Sequence, residues 1–295
     1  MSSFNTMYKQ TFKQLLIPKG YSIWKSVFYK EVDNNICFFV HGKKVNHSNV
    51  SSAIAVYVDA TPYCVDLKSD EYEPQEGATM IADIIIKLFP DKYALENIRE
   101  YYITRFLANT EIDTLNSLNN ICTDMDEIIL PYVHKCTDLE FLYNEMSKIW
   151  GISDNDIKRC NNSYSYGLSL KLHKYDAALR YIEYKSEWHE NIIERKRNDL
   201  AKLKNGNVSG TFDICVSDEF TSSLLRKKPG YIESQIKASE VMIKQSESEI
   251  SKLNSIREAI LARDYSYLDG VVLETEESSR IYIRQMLGRA IAPGE

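Results

Sequence analysis

Residues 21–45 read YSIWKSVFYKEVDNNICFFVHGKKV, two β-rich runs on either side of an Asp-Asn-Asn link. The first run, Ser22 to Val32, carries Trp24, Phe28 and Tyr29, and the second, Ile36 to Val45, opens Ile-Cys-Phe-Phe-Val. Aromatic and β-branched residues suit a pleated, half-buried surface. Asn tolerates positive φ, so Asp33-Asn34-Asn35 predicts a tight hairpin. A polar turn at 46–50 leads to a third strand, Ala53 to Ala60, where Ile54, Val56 and Val58 share one face and Ala55, Tyr57 and Asp59 the other. A meander of this size needs a helix on one face. Phe4 to Ile17 supplies it: Phe4, Met7, Tyr8, Phe12, Leu15 and Leu16 form one apolar stripe that Pro18-Lys19-Gly20 ends.

Downstream, 61–75 lacks a sustained period and reads as loop, with room for one short edge strand. Helices are expected over Glu76–Phe89, from Asp91 to Leu107, over Thr114–Leu130 with a break or restart at Pro131, and over Asp138–Ile149. Beyond a boundary near 151–160 the pattern is helical. Tyr164–Leu172 and Tyr175–Lys204 form an expected hairpin (164–204), and 205–230 is a polar connector. A long helix spans 231–263, with Ile236, Ile243 and Ile250 seven apart, and a last helix spans 275–287 after a turn at Asp264–Gly270. The predicted architecture is α+β: an N-terminal antiparallel β-meander packed with helices (1–150), followed by a C-terminal all-α helical bundle (151–295).

Composition bounds the chemistry. With 44% hydrophobic and 26% charged residues the chain is an ordinary globule. Its net charge of −6 disfavours a general polyanion binder. Residues 1–58 hold 7 Lys/Arg against 2 Asp/Glu, whereas 59–160 hold 9 against 20, a basic hairpin beside an acidic belt. Twenty Tyr suit half-wet surfaces. The six Cys (37, 64, 122, 136, 160 and 215) include no CxxC pair, so thiols acting as core filler, in the cytoplasm, are expected. The N-terminus has no signal-peptide layout, and the longest apolar run, Met80 to Ile86, is too short to span a bilayer. No membrane association is expected.

The strongest catalytic candidates are His41, His47 and Asp59, because an imidazole beside a carboxylate is the minimal general-base pair. A polar turn with a surface histidine accounts for the same residues. His134 and Cys136 lie two apart, which falls short of a metal set, and no HExxH, GxGxxG or P-loop pattern occurs, so neither a metal nor a cofactor is expected. Trp24, Phe39, Lys43 and Lys44 form a candidate binding surface, basic and aromatic as nucleic-acid readers are. Arg195-Lys196-Arg197 is flanked by Glu187, Glu190, Glu194 and Asp199 and reads as a solvated helix face. Arg226-Lys227-Lys228 is a further basic run.

Phe12-Lys13-Gln14-Leu15-Leu16, then Lys19-Gly20-Tyr21 and Val27-Phe28-Tyr29-Lys30, resemble the opening of a bacterial family, domain of unknown function 4304. Leu130-Pro131-Tyr132 before Asp138-Leu139-Glu140 is similar to its helix break, and His173-Lys174-Tyr175-Asp176-Ala177-Ala178-Leu179 to its later helical pair. The resemblance covers about 4–150 well and the rest loosely. It departs at His41-Gly42-Lys43-Lys44, where the family often carries a Gln-Lys-Ser-like step. It brings no catalytic residues. Some similar proteins sit beside toxin or defence genes, which implies an immunity-type role.

The leading expectation is a non-enzymatic, cytoplasmic protein-binding module, a monomer or a dimer through the long C-terminal helix. The alternatives are a hydrolase or nuclease-like enzyme near the hairpin, and a nucleic-acid binder on the basic strand surface.

Overall fold

A computed structural model of the chain describes residues 3–46, 52–67, 107–149, 163–205 and 230–288. The expected helices over 76–89 and 91–107, the boundary at 151–160 and most of the 205–230 connector lie outside these residues.

Helix α1, Phe4–Leu16, is capped by the Ser3 hydroxyl, which accepts from the Thr6 amide, and ends in a tighter turn, Ile17–Lys19, closed by Gly20. The sheet is four-stranded and antiparallel, with neighbours in chain order: β1 Ser22–Trp24, β2 Val27–Val32, β3 Ile36–Asn46 and β4 Ser52–Pro62. The fold is thus α+β, an N-terminal meander followed by helices.

The run expected as one strand, Ser22 to Val32, is itself a hairpin: Trp24 pairs with Val27 across Lys25-Ser26, with Lys25 at φ 53°. No Gly or Asn marks that turn, so its sequence gives little warning. The second turn places Asp33 and Asn34 at φ 50° and 54°.

Register puts Ile23, Phe28, Phe38, Val40, Gly42, Val56 and Val58 on one face. Helix α1 covers it: the Tyr8 hydroxyl donates to the Val40 carbonyl at 3.2 Å, and Tyr8 meets the Phe28 ring edge-on at 5.8 Å. The segment after helix α2, Glu111–Asp124, reaches the same face. Helix α2 begins with a reciprocal cap between Thr110 and Asp113. It then widens into a π-turn over Met125–Ile129 before the short helix α3, Leu130–Val133. The expected break at Pro131 is absorbed in this way, because a wide turn relieves the clash of a proline ring with the preceding carbonyls. A tight turn, His134–Thr137, sets His134 edge-on to Phe38, and Asp138 caps helix α4, Leu139–Ile149.

Trp24, Tyr29, Glu31, Cys37, Phe39, His41, Asp59 and Thr61 line the opposite face. It is covered too, which a single leading helix did not predict. Helix α5, Ser163–Lys171, lays Gly167 against the Cys64 carbonyl. The last helix returns to this part of the molecule: the Ser279 hydroxyl donates to the Val65 carbonyl, and Lys171 pairs with Glu276 at 2.7 Å.

By contacts the chain divides into one unit of 1–173 with 270–295 and another of 174–269. The second unit holds helix α6, Tyr175–Lys204, and helix α7, Tyr231–Ala262. They run antiparallel: Leu203 packs on Tyr231, Ile232 and Ile236, Arg197 pairs with Glu247 at 3.1 Å, and Tyr175 stacks on Tyr265. Buried residues spaced by seven run along both helices: Ile182, His189, Lys196 and Leu203 on α6, and Ser239, Ser246, Leu253 and Ile260 on α7. Ile236, Ile243 and Ile250 flank this seam, half-buried.

Helix α8, Tyr265–Met286, starts ten residues before the expected 275. The chain turns sharply at Arg263, φ 58°, and Asp264 caps α8 by accepting from the Tyr267 amide. Gly270 therefore lies inside the helix rather than in a turn. Among the described residues no helix is long and apolar enough to cross a membrane.

Candidate functional site

His41 and Asp59 come to one face of the sheet. His41 sits opposite Tyr57 and Asp59 opposite Phe39, so the two are diagonal neighbours across β3 and β4. His41 is half-buried, and its pKa is lowered by burial and then by Lys43, which keeps the ring neutral near pH 7. Asp59 is buried, and the Thr61 hydroxyl donates to its Oδ2 at 3.1 Å. The carboxylate is sealed from solvent, so a substrate does not reach it without rearrangement. His47 lies outside the described residues.

Of the candidate binding residues, Lys43 and Lys44 are exposed and, being adjacent in a strand, point to opposite faces. Trp24 is half-buried with the Lys25 ammonium 4.2 Å from its ring. Phe39 is 1% exposed and Phe38 is fully buried. Neither ring of that pair is open to stack on a base.

His134 and Cys136 are structural. The His134 Nε2 lies 3.1 Å from the Tyr21 hydroxyl, and its pKa is lowered by burial and then by Lys30 and Lys19. Burial, with Glu145 and Asp59 nearby, pushes the Cys136 thiol up to about 12, an unreactive form. Cys64 and Cys122 are likewise raised to about 12, chiefly by burial. Among the described residues no three His, Cys, Asp or Glu side chains gather as a metal site would need.

Two arrangements escaped the sequence reading. One is the polar seam of the helix pair. Lys196, expected on a solvated face, is 1% exposed, with Asp199 and His189 buried beside it on the same helix. Seven-residue spacing from Ile182 and Leu203 was the available signal. The charge of the Arg195-Lys196-Arg197 run masked it, because a lysine can bury its long apolar stem. The flanking Arg197 reaches Glu247 on the opposite helix rather than a partner on its own. A shallow groove of about 460 Å³ lies alongside, lined by Glu190, Ile193, Glu194, Arg197, Asn198 and Glu247. Farther along α6, Trp188 is 39% exposed, with the Lys185 ammonium 4.4 Å from its ring.

The other is a cluster where α8 meets the sheet. Glu31, Tyr63, Arg280 and Arg284 come together over a separation of some 250 residues, which no local pattern announces.

Comparison of the chain with family models, curated proteins and solved structures finds no match.

Proposed function

We propose that this protein is a non-enzymatic protein-binding module and that its partner docks on the helix pair α6–α7. Trp188 carries the reading. It is a large aromatic, 39% exposed, on a helix about 45 Å long. Tryptophan contributes to binding interfaces out of proportion to its frequency. The burial of Asp59 and of both phenylalanines at 38–39 weighs against the enzymatic and nucleic-acid alternatives. An immunity or antitoxin-type partner is the specific form of the proposal, and kinship with domain of unknown function 4304 belongs to it.

The test is crosslinking in the source cells with a photoreactive residue at position 188, with position 112, on the exposed side of α2 in the other unit, as control. A discrete adduct at 188 and none at 112 supports the reading. Equal labelling at both, or none at either, removes it.

A further inference from the structure

We propose that Arg280, Arg284 and Glu31 form a binding site for a phosphoryl group, where helix α8 meets the β2–β3 turn. The cluster is under-satisfied in a specific way. The Tyr63 hydroxyl is hydrogen-bonded to Glu31, yet Glu31 Oε1 is buried with no hydrogen bond. Its neighbour, Arg284 Nη2, stands 3.8 Å away, beyond hydrogen-bond range. Arg280 lies over the Tyr63 ring at 5.5 Å and donates one long bond, 3.4 Å, to the Asn34 carbonyl. Its Nε is buried with no acceptor.

An orphan acceptor and an orphan donor within one cluster call for a group that both donates and accepts. Two guanidiniums and one carboxylate in the cluster leave a positive surplus, so that group is anionic. A phosphomonoester carrying one proton meets both demands: its P–OH donates to Glu31 Oε1, and its remaining oxygens accept from Arg280 Nε and Arg284. Its second ionisation, at about 6, makes the singly protonated form abundant in mildly acid solution and scarce at about pH 8. Planar guanidinium forks match phosphate geometry. Arg284, 37% exposed, is the side from which a ligand enters. This site is independent of the helix-pair reading, because it lies wholly in the unit that contains the sheet.

Titration of the full chain with methyl phosphate, inorganic phosphate and sulfate at matched ionic strength, followed by arginine side-chain NMR and thermal shift, tests it. Saturable binding of one or both phosphates is expected, stronger at about pH 6 than at about pH 8. The tighter of the two tells ester from free anion. Arg284→Gln lowers affinity about tenfold or more while the protein stays folded. Glu31→Gln abolishes the preference for acid pH, a readout that packing alone would not move. An absence of saturation by either phosphate, equal binding of sulfate, or an Arg284→Gln variant that binds like the parent overturns the proposal.

Discussion

The Tyr8 ring lies so close over Gly42 that a Cβ at position 42 would stand 2.5 Å from Cε2. The ring cannot retreat easily. Its hydroxyl is held by the Val40 carbonyl, and its faces and edges meet Phe4, Phe12 and Phe28. Gly42→Ala therefore overpacks the α1–sheet interface and destabilises by about 1–3 kcal/mol. Urea unfolding measures the loss. In the double variant Tyr8→Leu, Gly42→Ala the alanine costs less than it does alone, a coupling that a double-mutant cycle resolves.

The meander was legible because its signals are local. Asp33-Asn34-Asn35 supplied a turn with positive φ, and the Phe4–Leu16 stripe supplied a helix to cover one face. Even Gly42, within a strand, hints at a close approach. The Lys25-Ser26 turn lacked any such mark. The cover of the second face was illegible for another reason. It depends on α8 returning near the end of the chain, and pairs such as Arg284 with Glu31 leave no trace in short-range periodicity. For the candidate site the register showed that His41 and Asp59 share a face, as strand alternation allowed, but burial of Asp59 depends on contacts beyond its own strand.

His189 makes the helix pair acid-sensitive. It is buried in the α6–α7 seam, its Nδ1 has no hydrogen bond, and its pKa is lowered by burial and then by Lys185, against a smaller raising influence of Glu249. The unfolded chain then binds a proton more readily than the folded one. The stability associated with a neutral His189 is fully present above about pH 6.5 and is lost as pH falls from there towards the lowered folded value. Amide exchange in α6 and α7 should accelerate on acidification through this window. His189→Leu should remove that component, and an unchanged pH profile in the variant would refute the assignment.

Lys196 tests whether the seam needs a charge. The residue is 1% exposed in the α6–α7 pair. Lys196→Met keeps the volume of the stem but leaves the groups that interact with the buried ammonium without it, so it should cost about 3–5 kcal/mol. Lys196→Ala removes the stem as well and should cost more again, by the cavity it leaves. Thermal unfolding of both variants reads the difference. If methionine proves as stable as the parent, the stem alone matters and the ammonium contributes nothing to the seam.

Lys171 and Glu276 join helices α5 and α8 within the unit that contains the sheet, at 2.7 Å, with the Glu276 side chain only 8% exposed. A charge-assisted bond this sheltered is stronger than an open surface pair, yet Lys171 retains some contact with water and can rehydrate when its partner is lost. Glu276→Gln should cost about 2 kcal/mol, the worth of a hydrogen bond to a charged group. Lys171→Met, which leaves the carboxylate buried without its cation, should cost more than Glu276→Gln. Because α8 also anchors through the Ser279 hydroxyl on the Val65 carbonyl, either change should raise amide exchange in α8 before it affects strands β2 and β3. Exchange mapping by mass spectrometry checks that order, and simultaneous loosening of the strands would show that α8 unfolds only with the sheet.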